Sequence, residues 1–150
     1  MSDNWLMFIP VDPRAQPAQA GADRAVELLK SFAPDAGDEV SATFSDKVEF
    51  RDCGSNWSGV ECPQCGKDAE EWWADATDIA YKSEFEDLRV TTPCCGHSTT
   101  LNDLNYIWAA GFSRFVLEAK NPNIKQTTTE QDAALSEALG LDLKKIWRHI

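Results

Sequence analysis

Cys62-Pro63-Gln64-Cys65-Gly66 and, about 30 residues further on, Thr92-Pro93-Cys94-Cys95-Gly96-His97 are the stretches on which the reading of this chain turns. A Cys-x-x-Cys step closed by Pro and Gly is the spacing of a zinc knuckle: a tight turn aims two thiolates at one ion while nearby backbone amides donate to the sulfurs. Gly66 accommodates the bend after the second thiol. Two such turns well separated in sequence are the usual way to close a tetrahedral site. Buried free thiols are the competing explanation. Paired Cys spacing flanked by Pro and Gly argues for ligands instead.

The second turn is ambiguous as written. Cys94 and His97 repeat the two-residue gap of Cys62 and Cys65, whereas Cys95-Gly96 repeats the Cys-Gly step but has Thr92 where the partner thiol should stand. The spacing selects Cys62, Cys65, Cys94 and His97 as ligands. Cys95 is the first substitute, and Cys53, in an all-thiolate set, the second. With four or five donors available, one closed structural Zn2+ is expected rather than a catalytic ion, which keeps an open position.

Outward from these turns the pattern is α+β. Trp5 to Ile9 reads as a strand apolar on both faces, stopped by Pro10, Asp12 and Pro13. Gln19 to Phe32 sets Ala22, Ala25, Val26, Leu29 and Phe32 at helical spacing before Pro34 and Gly37. Glu39 to Phe44 and Lys47 to Arg51 alternate around Ser45-Asp46, which predicts a hairpin or two short strands. Ala69 to Tyr81 reads as a second helix, and Leu88 to Thr91 leads into the second turn. Phe112 to Ala119 reads as a late strand ended by Asn121-Pro122-Asn123. Thr127 to Thr129 caps a helix over Gln131 to Leu139 that stops at Gly140, and Leu143 to Ile150 is a final amphipathic stretch. The expectation is a single domain over 1–150: a small mixed sheet with two to four helices and a zinc-ribbon-like insertion at about residues 52–105.

Composition narrows the function classes. The 150 residues are 43% apolar, enough for one ordinary core. A formal charge of -11 opposes binding to nucleic-acid phosphates and anionic membranes. No run approaches a membrane span, and the short apolar N-terminal run lacks the basic residues of a secretion signal. A cytoplasmic location is expected, and there five cysteines serve as thiols or ligands rather than disulfides.

Other chemistries find weaker support. CPQC as a redox pair would open a helix directly, and Gly66, Lys67 and Asp68 delay one. Cys53 as a nucleophile has only His97 and His149 to call on, the first already claimed as a ligand and the second beside the terminus. No GxxxxGK[ST] loop occurs, so P-loop nucleotide hydrolysis is excluded.

Neighbouring Trp72 and Trp73 cannot both point inward from a helix. Trp72 is expected in the core and Trp73 against the ribbon, with an aromatic anchor for a partner as the alternative. Trp57 and Trp108 are expected to cover the thiol-bearing turns. From Asp68 to Asp87 eight carboxylates face one cation, Lys82. Glu71, Trp73, Asp75 and Asp78 are therefore the candidate partner-binding residues, since opposite charge steers encounter and aromatics supply burial.

The runs Phe8-Ile9-Pro10-Val11-Asp12-Pro13, Val48 to Asn56, CPQCG, Trp72-Trp73, Pro93-Cys94-Cys95-Gly96, Leu101 to Tyr106 and Gly111 to Phe115 together resemble an uncharacterised family of small bacterial zinc-ribbon-like proteins. Some of its members carry the label sugar ABC transporter ATPase. The resemblance spans nearly the whole chain. It implies a zinc-bearing domain and no established activity.

The expected function is that of a non-enzymatic zinc-binding module whose acidic face docks a basic protein, in an immunity-like or adaptor role. A zinc-dependent or thiol enzyme using the Cys cluster is the alternative, and a nucleic-acid-binding ribbon comes third.

Overall fold

A computed structural model describes residues 2–150. Residues Asn4–Pro10 form β1, in which Leu6, Met7, Phe8 and Ile9 are all buried. Both faces are covered because α1 (Gln19–Phe32) lies on one side, while Met7 and Ile9 pack on the other with Cys53, Val116 and Ile146. Helix α1 presents Ala22, Ala25 and Leu29 to the sheet. Its small residues let it approach closely.

Strand β2 (Val40–Arg51) is one strand, not the hairpin or pair of short strands expected around Ser45-Asp46. Its pairing with β7 (Gly111–Lys120) shifts register between Phe44 and Glu49. The polar Ser45-Asp46-Lys47 segment is thus a bulge that kinks the strand without reversing it. Beyond the bulge, Val48 and Phe50 turn to a different core from the one below it.

The chain closes with α3 (Thr129–Leu139) and β8 (Leu143–His149). Thr128 and Gln131 form a reciprocal capping box at the start of α3, and Gly140, at φ 68°, ends it in the left-handed conformation. The final amphipathic stretch is the edge strand β8, with Ile146 buried against the sheet.

The large sheet has the order β2-β7-β1-β8 with every pairing antiparallel. Helix α1 connects β1 to β2 across β7, and α3 connects β7 to β8 across β1. Each β-α-β unit is therefore split by a strand of the other, the ferredoxin-like arrangement. The α+β class stands, but a mixed sheet does not form, because splitting the crossovers separates every pair of strands that run the same way. Among the described residues a parallel contact enters only as an isolated bridge of Gly54 to His149 at the edge of β8. A side chain at Gly54 would put Cβ 2.2 Å from the His149 carbonyl oxygen, so this approach requires glycine.

Between β2 and β7 the chain makes an excursion with its own small core. Its elements are β3 (Val60–Glu61), α2 (Glu70–Tyr81), β4 (Arg89–Thr91), β5 (Ser98–Thr100) and β6 (Asn105–Tyr106). β3 pairs with β6, and β4 with β5. Val60, Ala69, Leu88, Leu101, Leu104 and Tyr106 pack with Val48 and Phe112 from the upper ends of β2 and β7. Asn102, 5% exposed, locks the excursion to the sheet. Its amide donates to Val11 O at 3.0 Å and its Oδ1 accepts from Phe112 N at 2.9 Å. Lys144 adds two bonds from β8, to the carbonyls of Asn102 and Ala110, at 3.2 Å each. Burial lowers the Lys144 pKa, and nearby Asp103 partly restores it. No helix is long and apolar enough to cross a membrane among the described residues.

Candidate metal centre

The two cysteine turns fold alike, and the common geometry settles how they align. In the first, Cys62 N donates to Lys67 O at 2.8 Å and Gly66 N to Cys62 O at 3.0 Å. In the second, Thr92 N donates to His97 O at 2.8 Å and Gly96 N to Thr92 O at 2.7 Å. Gly66 and Gly96 take matching left-handed φ values of 76° and 71°. The positions therefore correspond as Cys62 with Thr92, Cys65 with Cys95, and Lys67 with His97. The second turn has a hydroxyl where the first has a thiol, and a compensating thiol, Cys94, where the first has Gln64.

Four sulfurs converge as a result. Cys62, Cys65, Cys94 and Cys95 place their Sγ atoms within 4.8 Å of one another. Cys65 and Cys94 are 3.4 Å apart, and Cys62 and Cys95 3.7 Å. A tetrahedron of thiolates about 2.3 Å from a zinc ion has edges of about 3.8 Å, so the spacing suits a four-coordinate metal and is far too long for disulfides. Cys62 is buried, Cys94 half-buried, and Cys65 and Cys95 exposed.

The expected set is corrected in one place. His97 is not in the group, because in the register of these turns it occupies the Lys67 position, where the backbone closes the hairpin. Cys95, the substitute, takes that place. Cys53 is remote from the four: it is fully buried in the sheet among Met7, Ile9, Val116 and Ile146, and burial raises its thiol pKa.

Thr92 supports the site in place of a thiol. It is fully buried, its Oγ1 accepts from His97 N at 2.9 Å, and it shares a hydrogen bond with Cys95 Sγ at 3.2 Å. The signal for it was visible in the sequence as the anomalous Thr before Pro93.

The electrostatics fit a cation at the centre. The Cys65 backbone N–H leads the causes that bring the Cys62 thiol down to about 6, against desolvation and with help from Gln64 N–H and the neighbouring thiols. Desolvation, followed by hydrogen bonding within the same group of thiols, pushes Cys94 up to about 12. One thiolate forms readily and discourages the next. A divalent ion removes that conflict, since it favours deprotonated sulfur outright.

The candidate partner face divides. Glu71, Asp75 and Asp78 are exposed on α2, beside Ile79 and Tyr81, which are 66% and 68% exposed. Trp73 does not join them as an anchor. It is half-buried against Phe50 and Trp57, and its indole donates to Tyr106 Oη at 3.1 Å, which fixes it against the core of the excursion. Trp72 is half-buried in the same cluster, and Trp57 packs on Tyr106. Trp108 does not cover the thiol turns; it is 44% exposed and lines a cleft beside β8.

Compared with known proteins, the chain matches no family model, and no curated protein and no solved structure is significantly similar to it.

Proposed function

We propose that this protein is a non-enzymatic binding module whose excursion is a zinc ribbon held by one structural Zn2+ on Cys62, Cys65, Cys94 and Cys95. The observation that carries the reading is the convergence of four thiols from two superimposable turns. All-cysteine tetrahedral donation is characteristic of structural zinc, because soft thiolates select it and four protein ligands leave no place for a substrate. The zinc-ribbon-like family that the sequence resembles agrees with this.

The working surface in this proposal is the exposed side of α2. Glu71, Asp75 and Asp78 steer a basic protein to it, while Ile79 and Tyr81 supply apolar area on contact. An immunity-like or adaptor role in the cytoplasm fits these features.

Elemental analysis of purified protein tests the metal: one zinc per chain is expected, falling to a small fraction after substitution of any of the four cysteines by Ser. Full occupancy after two separate substitutions would overturn the ligand set. Pull-down of a basic protein, lost on reversing Asp75 and Asp78 to Lys, tests the surface. Unchanged capture would remove α2 from the proposal.

A further inference from the structure

A cleft of about 720 Å³ lies away from the thiols, where the excursion meets the edge of the sheet. Four separate parts of the chain build it: Asn4 from β1, Asn56 and Trp108 from the excursion, Trp147 and Arg148 from β8, and the loop 121–126 between β7 and α3. Junctions of this kind are preferred places for small-molecule sites.

Its chemistry differs from the rest of the surface. Asp and Glu number 25 in the chain, yet no carboxylate lines this cleft, and Lys125 and Arg148 both do. Arg148 is partly engaged, by Asp52 at 3.1 Å and over the Trp5 ring at 4.8 Å from its centroid. Lys125 makes no ion pair or hydrogen bond among the described residues, and the same holds for the indole N–H groups of Trp108 and Trp147. The side-chain NH2 of Asn56, by contrast, donates to the Trp147 carbonyl at 3.1 Å.

The uncommitted polar groups named here are therefore donors, on two flat aromatic side chains and a cation. The loop that presents them is anchored to β1. Asn121 and Asn123 both adopt left-handed φ, 51° and 54°, on either side of buried Pro122. Asn121 N donates to Asn4 O at 2.6 Å, and Asn4 N donates back to Asn121 Oδ1 at 2.9 Å. Asparagine tolerates this conformation better than other non-glycine residues, and the paired bonds with Asn4 tie the loop to β1.

We propose that this cleft binds a small organic anion carrying a flat ring. The ring lies against the indoles of Trp108 and Trp147, and the acceptor-rich anionic group meets Lys125 and the free indole N–H groups. Three carboxylates lie just behind the lining, Asp52 on Arg148, Asp3 on Asn121 and Asp35 on Asn123, so Lys125 is the cation left to meet an anion here.

Indole resonances in two-dimensional nitrogen–proton spectra of the full chain, assigned with Trp108→Phe and Trp147→Phe, give the readout. The probes are adenosine monophosphate and 4-hydroxybenzoate, each against its neutral counterpart, adenosine and 4-hydroxybenzamide. Saturable shifts confined to Trp108 and Trp147 are expected for at least one anion, with its neutral counterpart at least about tenfold weaker. Lys125→Glu should weaken binding by about tenfold or more, while Lys82→Glu, the same charge change on α2, should leave it within about twofold. Lys125 is exposed, so its substitution should preserve the melting temperature. The proposal is overturned if neither anion shifts these two indoles, if charged and neutral probes bind alike, or if the two lysine variants behave alike.

Discussion

The sheet with its two helices and the thiol-bearing excursion reach stability by different means. The sheet has strands of 7, 12, 10 and 7 residues and packs Leu6, Phe8, Leu29, Phe115, Leu117 and Leu135 into one continuous core against α1 and α3. The excursion has strands of two and three residues, and α2 buries only Ala80 fully. Strands that short cannot bury enough apolar surface to offset the entropy of ordering them. On the proposed reading, a metal held by four sulfurs supplies what area cannot.

The largest effect that separates the two regions is metal removal. Chelation, or Cys62→Ser, should abolish hydrogen-exchange protection across β3 to β6 while α1, α3 and the sheet keep theirs. Structural zinc in small domains is worth on the order of 10 kcal/mol of binding free energy, so the loss should be complete in the excursion. Simultaneous unfolding of both regions would show that they form one cooperative unit. Acid should act in the same direction. The fold lowers the Cys62 thiol from 9.0 to about 6, so it stabilises the thiolate, fully above the unfolded value. That contribution to the metal-free fold is lost as pH falls through about 6, and because protons compete with the metal for every thiolate, metal release measured with a chromogenic chelator should rise as pH falls.

Phe115→Ala should do the converse. Phe115 is fully buried in the sheet core, and removing such a ring costs roughly 3–5 kcal/mol. Denaturant unfolding should show this loss in the sheet, with zinc stoichiometry unchanged under native conditions.

A smaller effect tests the joint between the regions. Asn102→Ala leaves the buried Phe112 N–H without its acceptor, at a cost of about 1–3 kcal/mol. The two unfolding transitions should then move apart in calorimetry, because the bonds to Val11 and Phe112 connect them. A single, uniformly lowered transition would place the coupling in the shared core of Val48, Phe50 and Phe112 instead.

The smallest effect sharpens the comparison of the two turns. His97→Ala should leave zinc content unchanged and alter stability by less than about 0.5 kcal/mol, because the half-buried ring makes no hydrogen bond among the described residues and the backbone bonds of the turn remain. Cys95→Ser should lose the metal. The reverse result would restore the histidine and remove Cys95 from the site.

Regular periodicity made much of the fold legible. Gln19–Phe32 is a helix over the range its apolar spacing defines, and β1 and β7 lie within a residue of where their patterns place them. Segments with a weaker pattern were not legible. Around Ser45-Asp46 a bulge and a turn share the same polar signature, and only pairing with β7 distinguishes them. Trp73 has the sequence of an anchor as much as of a core residue, and only the presence of Phe50, Trp57 and Tyr106 around it decides the matter. The cleft beside β8 had no sequence signal, because Trp108, Lys125 and Trp147 come from separate segments that nothing local relates.

By itself the sequence determined that this chain is acidic, α+β, and built around two cysteine turns, because composition, periodicity and Cys-Pro-x-Cys-Gly spacing are local properties. It also contained both alignments of the second turn, through Cys94 and His97 or through Cys95-Gly96. Only the tertiary structure chose between them. A donor's place depends on where the backbone closes the hairpin, and the Thr92–His97 hydrogen bond puts Cys95 opposite Cys62 and leaves His97 outside.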